Sequence, residues 1–224
     1  MYLSRLILNG RSRDVQRDLA RPYDLHRTLL SAFPTGEVHT ERTGEDAIGL
    51  LYRVDEDARS GGLHLLVQSQ QPPHWERLPA ADYLLPVAGN PATREVTLQL
   101  RAGQQLAFRL RANPTMRLPT PKGSGDKGKR VGIYDEEAQL KWLARKGEQH
   151  GFRLLQAQTR DDGKLKQAQA VQAKNGMHDL EFLSVQFDGV LQVTDPAAVL
   201  HAVSAGIGSG KAFGFGLLSL ARPV

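Results

Sequence analysis

A histidine stands three residues after a tyrosine in Tyr23-Asp24-Leu25-His26-Arg27-Thr28, and this pair is the first in the chain whose types and spacing could do chemistry. An imidazole titrates near neutral pH, so His26 can give or take a proton at pH 7. Cleavage of RNA suits such a group, because RNA carries its own nucleophile. The 2′-hydroxyl attacks the adjacent phosphate once a base takes its proton and an acid protonates the leaving 5′-oxygen, and no metal is required. Three-residue spacing stacks side chains on a helix, so Tyr23 could orient the phosphate or the 2′-hydroxyl. Read without its surroundings, His26 is an ordinary surface histidine and Tyr23 a packing residue.

The second candidate is Gly206-Ile207-Gly208-Ser209-Gly210-Lys211-Ala212-Phe213-Gly214-Phe215-Gly216. Glycine at this density lets backbone come close to a ligand and point N–H groups at phosphate, and Lys211 adds a charge. It is not a nucleotide P-loop: position 205 is Ala, Ala212 replaces the magnesium-binding hydroxyl, and the segment leads into a predicted strand instead of a helix. The dinucleotide pattern fails as well, because Gly208 and Gly210 are followed by Phe213. Contact with an RNA backbone through Gly208, Gly210 and Lys211 accounts for the composition.

Basic residues form two further groups, Lys122 to Arg130 (with Lys127, Lys129 and Arg130) and Arg160, Lys164, Lys166 and Lys174. The chain has 29 Lys and Arg against 24 Asp and Glu, a net charge of +5, compatible with a polyanionic partner. Few aromatics lie near either group, which disfavours a stacking platform for single strands. Recognition of a folded, duplex-like RNA through its backbone fits better.

Other chemistries are excluded or unsupported. The absence of cysteine removes disulfides, zinc fingers, iron–sulfur clusters and thiol nucleophiles, and suits a reducing cytosol. The other histidines (His39, His64, His74, His150, His178 and His201) show no metal-like spacing, so no metal or cofactor is expected. His26-Arg27-Thr28 fits the H-x-S/T element of two-histidine phosphoesterases, but no second copy exists. The stretch Met1 to Leu8 carries Arg5 and is too short and charged for a signal peptide, and no run approaches the ~20 apolar residues of a membrane helix, so a cytoplasmic protein is expected.

The elements that must position these groups follow from periodicity. Tyr2 to Leu8 reads as a strand and Asn9 to Arg21 as a polar stretch. Pro22 opens a helix to about Phe33, ended by Pro34 and Gly36, with Leu25, Leu29 and Ala32 on one face and Tyr23, His26 and Leu30 on the next. Ile48 to Val54 and Leu63 to Gln68 form a hairpin across Gly61-Gly62. A short helix near Leu78 to Tyr83 and a strand near Leu84 to Val87 come next.

The second half repeats this order. A strand over Gln104 to Arg111 precedes a Gly- and Lys-rich loop, Thr120 to Gly132, and a helix from Asp135 to about Gln149. Strands over Phe152 to Gln158, Glu181 to Phe187 and Val190 to Val193 follow, with Asp188-Gly189 as a hairpin turn. Asp195-Pro196 caps a helix to about Ser204, and a strand near Phe215 to Leu220 ends the chain. The fold class is therefore α+β, with tandem ferredoxin-like (split βαβ, RRM-like) domains over residues 1–92 and 93–224.

Several segments in the same order resemble the CasE endoribonucleases of the RAMP superfamily. They are Tyr2-Leu3-Ser4-Arg5-Leu6-Ile7-Leu8-Asn9, Arg17-Asp18-Leu19-Ala20, Pro22-Tyr23-Asp24-Leu25-His26-Arg27-Thr28-Leu29, Phe108-Arg109-Leu110-Arg111-Ala112-Asn113-Pro114, Gly151-Phe152 and Gly206 to Ser219. The resemblance implies two ferredoxin-like domains and metal-free cleavage of CRISPR precursor RNA at the base of the repeat hairpin, leaving a 2′,3′-cyclic phosphate. It implies His26 as the catalytic histidine and Tyr23 as its helper. It also implies that the product hairpin stays bound and that other Cascade subunits are partners. Ser31 and Phe33 supply no cation after the catalytic turn, so Arg27 or Lys211 is expected to meet the transition-state charge. A non-catalytic RNA-binding subunit of the same superfamily is the alternative, and it would have no need of the His26 and Tyr23 pair.

Overall fold

The computed structural model describes residues 1–34, 48–57, 60–119, 128–169 and 178–223. Strand β1 (Tyr2–Ile7) is followed by helices α1 (Arg13–Ala20) and α2 (Pro22–Leu30), the hairpin β2 (Leu51–Glu56) and β3 (Leu63–Ser69), and β4 (Ala92–Glu95). These strands form an antiparallel sheet in the order β2-β3-β1-β4. The second unit runs β5 (Gln105–Ala112), a small hairpin β6 (Thr115–Arg117) and β7 (Arg130–Gly132), α3 (Glu136–Gln149), β8 (Phe152–Gln169), β9 (His178–Val193), α4 (Pro196–Ala205) and β10 (Leu218–Ala221). Its antiparallel sheet has the order β10-β5-β9-β8. In both sheets the first strand lies between the third and the fourth, which is the split βαβ arrangement expected from the sequence.

Each sheet buries one face under its helices. Val15, Leu25 and Leu29 of α1 and α2 pack on Leu6, Tyr52, Leu65 and Val67. Trp142 and Leu143 of α3 and Val199, Ala202 and Val203 of α4 cover Phe108, Leu110, Val185 and Phe187. Strand β5 shows the period of two behind this: Leu106, Phe108, Leu110 and Ala112 point inward, Arg109 and Arg111 the other way.

The two units are tied along β2 and β3. Arg111 Nη1 donates to the Val54 carbonyl (2.6 Å) and Gln68 Nε2 to the Val203 carbonyl (2.7 Å). Buried Arg53 grips both oxygens of Asp55 through Nε (2.9 Å each) and donates from Nη1 to Ser219 Oγ (2.9 Å). Arg53 is desolvated, so the charged Asp55 carboxylate and the Ser219 contact offset the loss of its water.

Several expectations change. The stretch read as polar before Pro22 contains α1, whose buried residues are Val15 and Asp18. In place of a helix at Leu78 to Tyr83 there is one 3-10 turn, Trp75–Arg77. Leu78 precedes Pro79 and is pushed to extended backbone (φ −58°, ψ 139°), which ends the turn. The strand expected at Leu84 to Val87 is a single bridge, Leu8 to Leu84.

Asp188-Gly189 is no turn either, since β9 runs straight through it. A Cβ at Gly189 would lie 2.1 Å from the Gln156 carbonyl oxygen, so the glycine serves close strand approach beside the irregular register between Leu154 and Gln156. Residues 130–132, read as loop, form β7. The division expected after residue 92 falls within β4, and the passage between the sheets occupies residues 96–104.

Two core tyrosines make the fold sensitive to alkali. Burial raises the Tyr52 phenol well above its ordinary value of 10.0. Burial, reinforced by the Asp18 carboxylate, does the same for Tyr83. The folded chain keeps both protons where the unfolded chain releases them. The stabilisation is complete below about pH 10 and declines as pH rises above it. Urea midpoints measured from about pH 9 to 11 should fall, and fall less steeply in a Tyr52→Phe/Tyr83→Phe double variant. Equal slopes would remove the two phenols from this account.

Candidate active site

Helix α2 begins with Pro22 at its first position, where a missing N–H costs nothing. Leu25 and Leu29 anchor it in the core, and the 3.6-residue period then fixes where its neighbours point. His26 is 8% exposed and Tyr23 38% exposed, so the histidine is recessed and the tyrosine stands at the rim. Their ring centroids are 6.2 Å apart. His26 stacks on Tyr52 of β2 (6.2 Å, 24°), and Tyr23 lies 5.9 Å from Phe213 of the glycine-rich loop.

That loop crosses from the second unit to cover α2. A 3-10 turn, Lys211–Phe213, sits between Gly210 (φ 81°) and Gly214 (φ 82°), both left-handed. Only glycine adopts this backbone freely, and a Cβ at Gly214 would press to 3.1 Å from the Tyr52 ring. The Tyr52 hydroxyl lies 2.8 Å from the Pro22 carbonyl and 2.9 Å from the Ala212 carbonyl, sharing its one proton between the start of α2 and the turn. Tyr52 therefore connects the helix carrying His26 to the turn carrying Lys211. Nothing in the sequence distinguishes it from any other aromatic on a strand.

His26 and Lys211 line one open pocket of about 480 Å³, with Leu30, Leu50, Gln70 and Ser204 among its other walls. Arg27 is exposed on α2 and is not among the pocket's lining residues. Of the two cations expected near the histidine, Lys211 is the one that shares its cavity.

The remaining basic candidates lie on the second unit. Arg130 lines a cleft of about 220 Å³ with Tyr134, Glu181, Phe182 and Ser209, next to the glycine-rich loop. Lys129 is exposed just before β7. Lys164 pairs with Glu181 (2.6 Å) and stands 5.5 Å above the Tyr134 ring. Arg160 pairs with Asp162 (2.9 Å) and donates to Gln186 (3.2 Å). Such exposed pairs hold their charges weakly and can exchange a carboxylate for a phosphate. Lys166 lies on β8 in register with Glu181. Gly208 abuts Trp142. Lys127 and Lys174 lie outside the described residues. Among the described residues, no three histidine, aspartate or glutamate side chains converge as a metal site requires, and no helix is long and apolar enough to cross a membrane.

A buried carboxylate that no local sequence pattern marks, Asp18, supports α2. Asp18 accepts from Thr28 Oγ1 (2.6 Å) and Tyr83 OH (2.9 Å), and its other oxygen accepts from Arg17 Nε and Nη2 (2.9 and 2.8 Å).

Two ferredoxin-like units, a recessed histidine beside a tyrosine, and a lysine-bearing glycine loop packed against both define a double-unit protein with a pocket lined by His26 and Lys211 where its halves meet. The chain matches the CRISPR associated protein family over residues 1–222, and it belongs to that family. It is 38% identical to the CRISPR-associated endoribonuclease Cse3 of Thermus thermophilus, with 99% of this chain and 100% of that protein covered. It is 33% identical to the CRISPR system Cascade subunit CasE of Escherichia coli, with 99% of each covered. A solved structure of the CRISPR endoribonuclease Cse3 bound to a 19-nucleotide RNA superposes with a TM-score of 0.80 at 34% identity, covering 99% of this chain and 100% of that one. The resemblance read from the motifs is borne out, and so is the double ferredoxin-like fold.

Proposed function

We infer that this protein is an endoribonuclease that cleaves CRISPR precursor RNA at the base of the repeat hairpin and then stays on the hairpin as a subunit of Cascade in the cytoplasm. The relatives named as endoribonuclease and Cascade subunit, and the RNA-bound structure, support this reading. The observation that carries the chemistry is the placement of His26, recessed on α2, next to Tyr23 and in one pocket with Lys211. A non-catalytic binder has no use for that grouping.

The 2′-hydroxyl next to the scissile phosphate attacks phosphorus, the P–O5′ bond breaks, and the products are a 2′,3′-cyclic phosphate and a 5′-hydroxyl. His26 moves a proton in this exchange, Tyr23 orients the reacting group from the rim, and Lys211 meets the charge that builds on the phosphate oxygens. No metal enters the scheme, because the nucleophile belongs to the RNA. Arg130, Lys129, Lys127, Arg160, Lys164, Lys166 and the backbone at Gly208 and Gly210 hold the hairpin through its phosphates. Single-turnover cleavage of the organism's own repeat hairpin in EDTA tests the whole reading. Cleavage to a cyclic phosphate end is expected, and binding without cleavage would favour a pure RNA-binding subunit.

Tyr52 offers a sharper check on how the two halves cooperate. Tyr52→Phe keeps the ring under His26 and removes the hydroxyl shared by Pro22 and Ala212. Cleavage should slow by roughly 10-fold, since small displacements of a catalytic group are costly. Combined with Lys211→Ala, the two losses should overlap, because the hydroxyl acts by holding the turn that bears the lysine. Fully additive losses would separate Tyr52 from Lys211.

A further inference from the structure

The geometry points to a nucleobase subsite: the pocket beside His26 takes the base of an unpaired nucleotide flanking the scissile phosphate, and Gln70 reads that base's edge. This inference rests on the ribonuclease reading above and adds a ligand to the same cavity.

Displacement at phosphorus needs the attacking and leaving oxygens roughly in line. A stacked A-form strand does not place a 2′-hydroxyl opposite its own P–O5′ bond, so a nucleotide at the cleavage point must swing out of the stack. Its base then needs somewhere to go. Splayed-out bases are held by apolar contact on their faces and hydrogen bonds along their edges.

The pocket supplies both. At about 480 Å³ it is larger than a phosphate requires and falls in the range of sites for nucleoside-sized ligands. His26 and Lys211 are the lining residues that the ribonuclease reading sets against the phosphate. Leu30, Leu50 and Ala205 add apolar walls to the same pocket, and Gln70 and Ser204 polar ones.

Gln70 is placed for edge reading. A Cβ at Gly49 would come within 2.9 Å of Gln70 Cγ, so glycine there (φ +57°) leaves the side chain its room. The Gln70 backbone N–H donates to the Ile48 carbonyl (2.8 Å), while among the described residues its carboxamide makes no hydrogen bond. A carboxamide carries a donor and an acceptor side by side. Every unpaired base presents a neighbouring donor and acceptor on its Watson–Crick edge, and a paired base has used them. Ser204 Oγ donates to the His201 carbonyl (3.0 Å), so toward the pocket it can only accept.

The test uses the full chain and a repeat hairpin with a single 2′-deoxy substitution that blocks cleavage. 2-Aminopurine is placed at the nucleotide on either side of the scissile phosphate, one RNA for each. Binding should change the fluorescence at one flank, and Ala205→Trp, which fills the pocket, should abolish that change while the hairpin still binds. In the all-ribose RNA, an abasic site at the same flank should slow wild-type cleavage by ~10-fold or more, and Gln70→Ala should lower the intact RNA toward the abasic rate. No fluorescence change at either flank, or a change that survives Ala205→Trp, overturns the subsite. Cleavage of the intact all-ribose hairpin, read separately, decides the nuclease reading.

Discussion

Replacing His26 with alanine should lower single-turnover cleavage of the repeat hairpin by ~10²–10⁴-fold, the range typical of a lost proton-transfer group. Hairpin affinity should scarcely move, because on the proposed reading it rests on many phosphate contacts, none of which the imidazole makes. The pattern follows from where the ring sits. It is 8% exposed, stacked on Tyr52 and close to Tyr23, so its position is set before RNA arrives. Alanine leaves this stack short of one ring, and some loss of stability will accompany the loss of rate. His26→Asn keeps a polar planar group of similar reach and should be as slow as alanine, since an amide does not transfer protons near pH 7. Thermal unfolding of both variants separates the two effects: a folded, hairpin-binding, inactive His26→Asn assigns the chemistry to the imidazole. A variant that still cleaves within a few-fold of wild type would sink the assignment and leave Tyr23 or Lys211 to carry proton transfer.

The parts of this site that were legible in the sequence are those whose cause is local. Pro22 marks the start of α2, and the spacing of Leu25 and Leu29 tells which side of the helix is buried, so the shared direction of Tyr23, His26 and Leu30 follows. The glycine-rich loop was legible for the same reason, since a run of glycine with one lysine is rare in ordinary turns. That the loop folds back on α2 was not. The contact joins residues 30 and 160 positions apart through one tyrosine hydroxyl, and no local pattern encodes it.

Asp188-Gly189 misled because an Asp-Gly pair is a turn signal only where the chain has a reason to reverse. Here Asp188 is held by Arg109 on the adjacent strand (2.6 Å) and Gly189 by the crowding of Gln156, so tertiary pairing overrides the local signal. Helix α1 was hidden by its charges. Among its buried residues one is a carboxylate, which hydrophobic periodicity counts as exposed.

Removing that carboxylate should be costly, because it is fully buried and accepts four hydrogen bonds. Asp18→Ala is expected to destabilise the folded chain by about 3–5 kcal/mol, the cost of breaking a buried charged network on one side. Asp18 Oδ2 accepts from Thr28 Oγ1 at 2.6 Å and from Tyr83 OH at 2.9 Å, and both donors lie inside the protein. Without their acceptor, each buried hydroxyl forfeits about 1–3 kcal/mol. Arg17 is 46% exposed and can turn its guanidinium to water, so its pairing with Oδ1 adds less. Thr28→Val provides the scale: it removes one donor, leaves the carboxylate its other three hydrogen bonds, and should cost only about 1 kcal/mol.

The consequence reaches catalysis through α2. Thr28 lies two residues after His26 on that helix, and the Asp18 to Thr28 bond fixes the helix against α1 and the Tyr83 segment. Asp18→Asn retains one oxygen to accept and should fall between wild type and alanine in both stability and cleavage rate. Urea midpoints together with single-turnover rates, taken at a temperature where each variant is folded, separate positioning from simple unfolding. A graded loss of rate in the folded variants, with hairpin affinity intact, places Asp18 as the residue that holds the catalytic helix in register. If Asp18→Ala costs less than about 1 kcal/mol, water has reached Thr28 and Tyr83, and the helix is held by its apolar face alone.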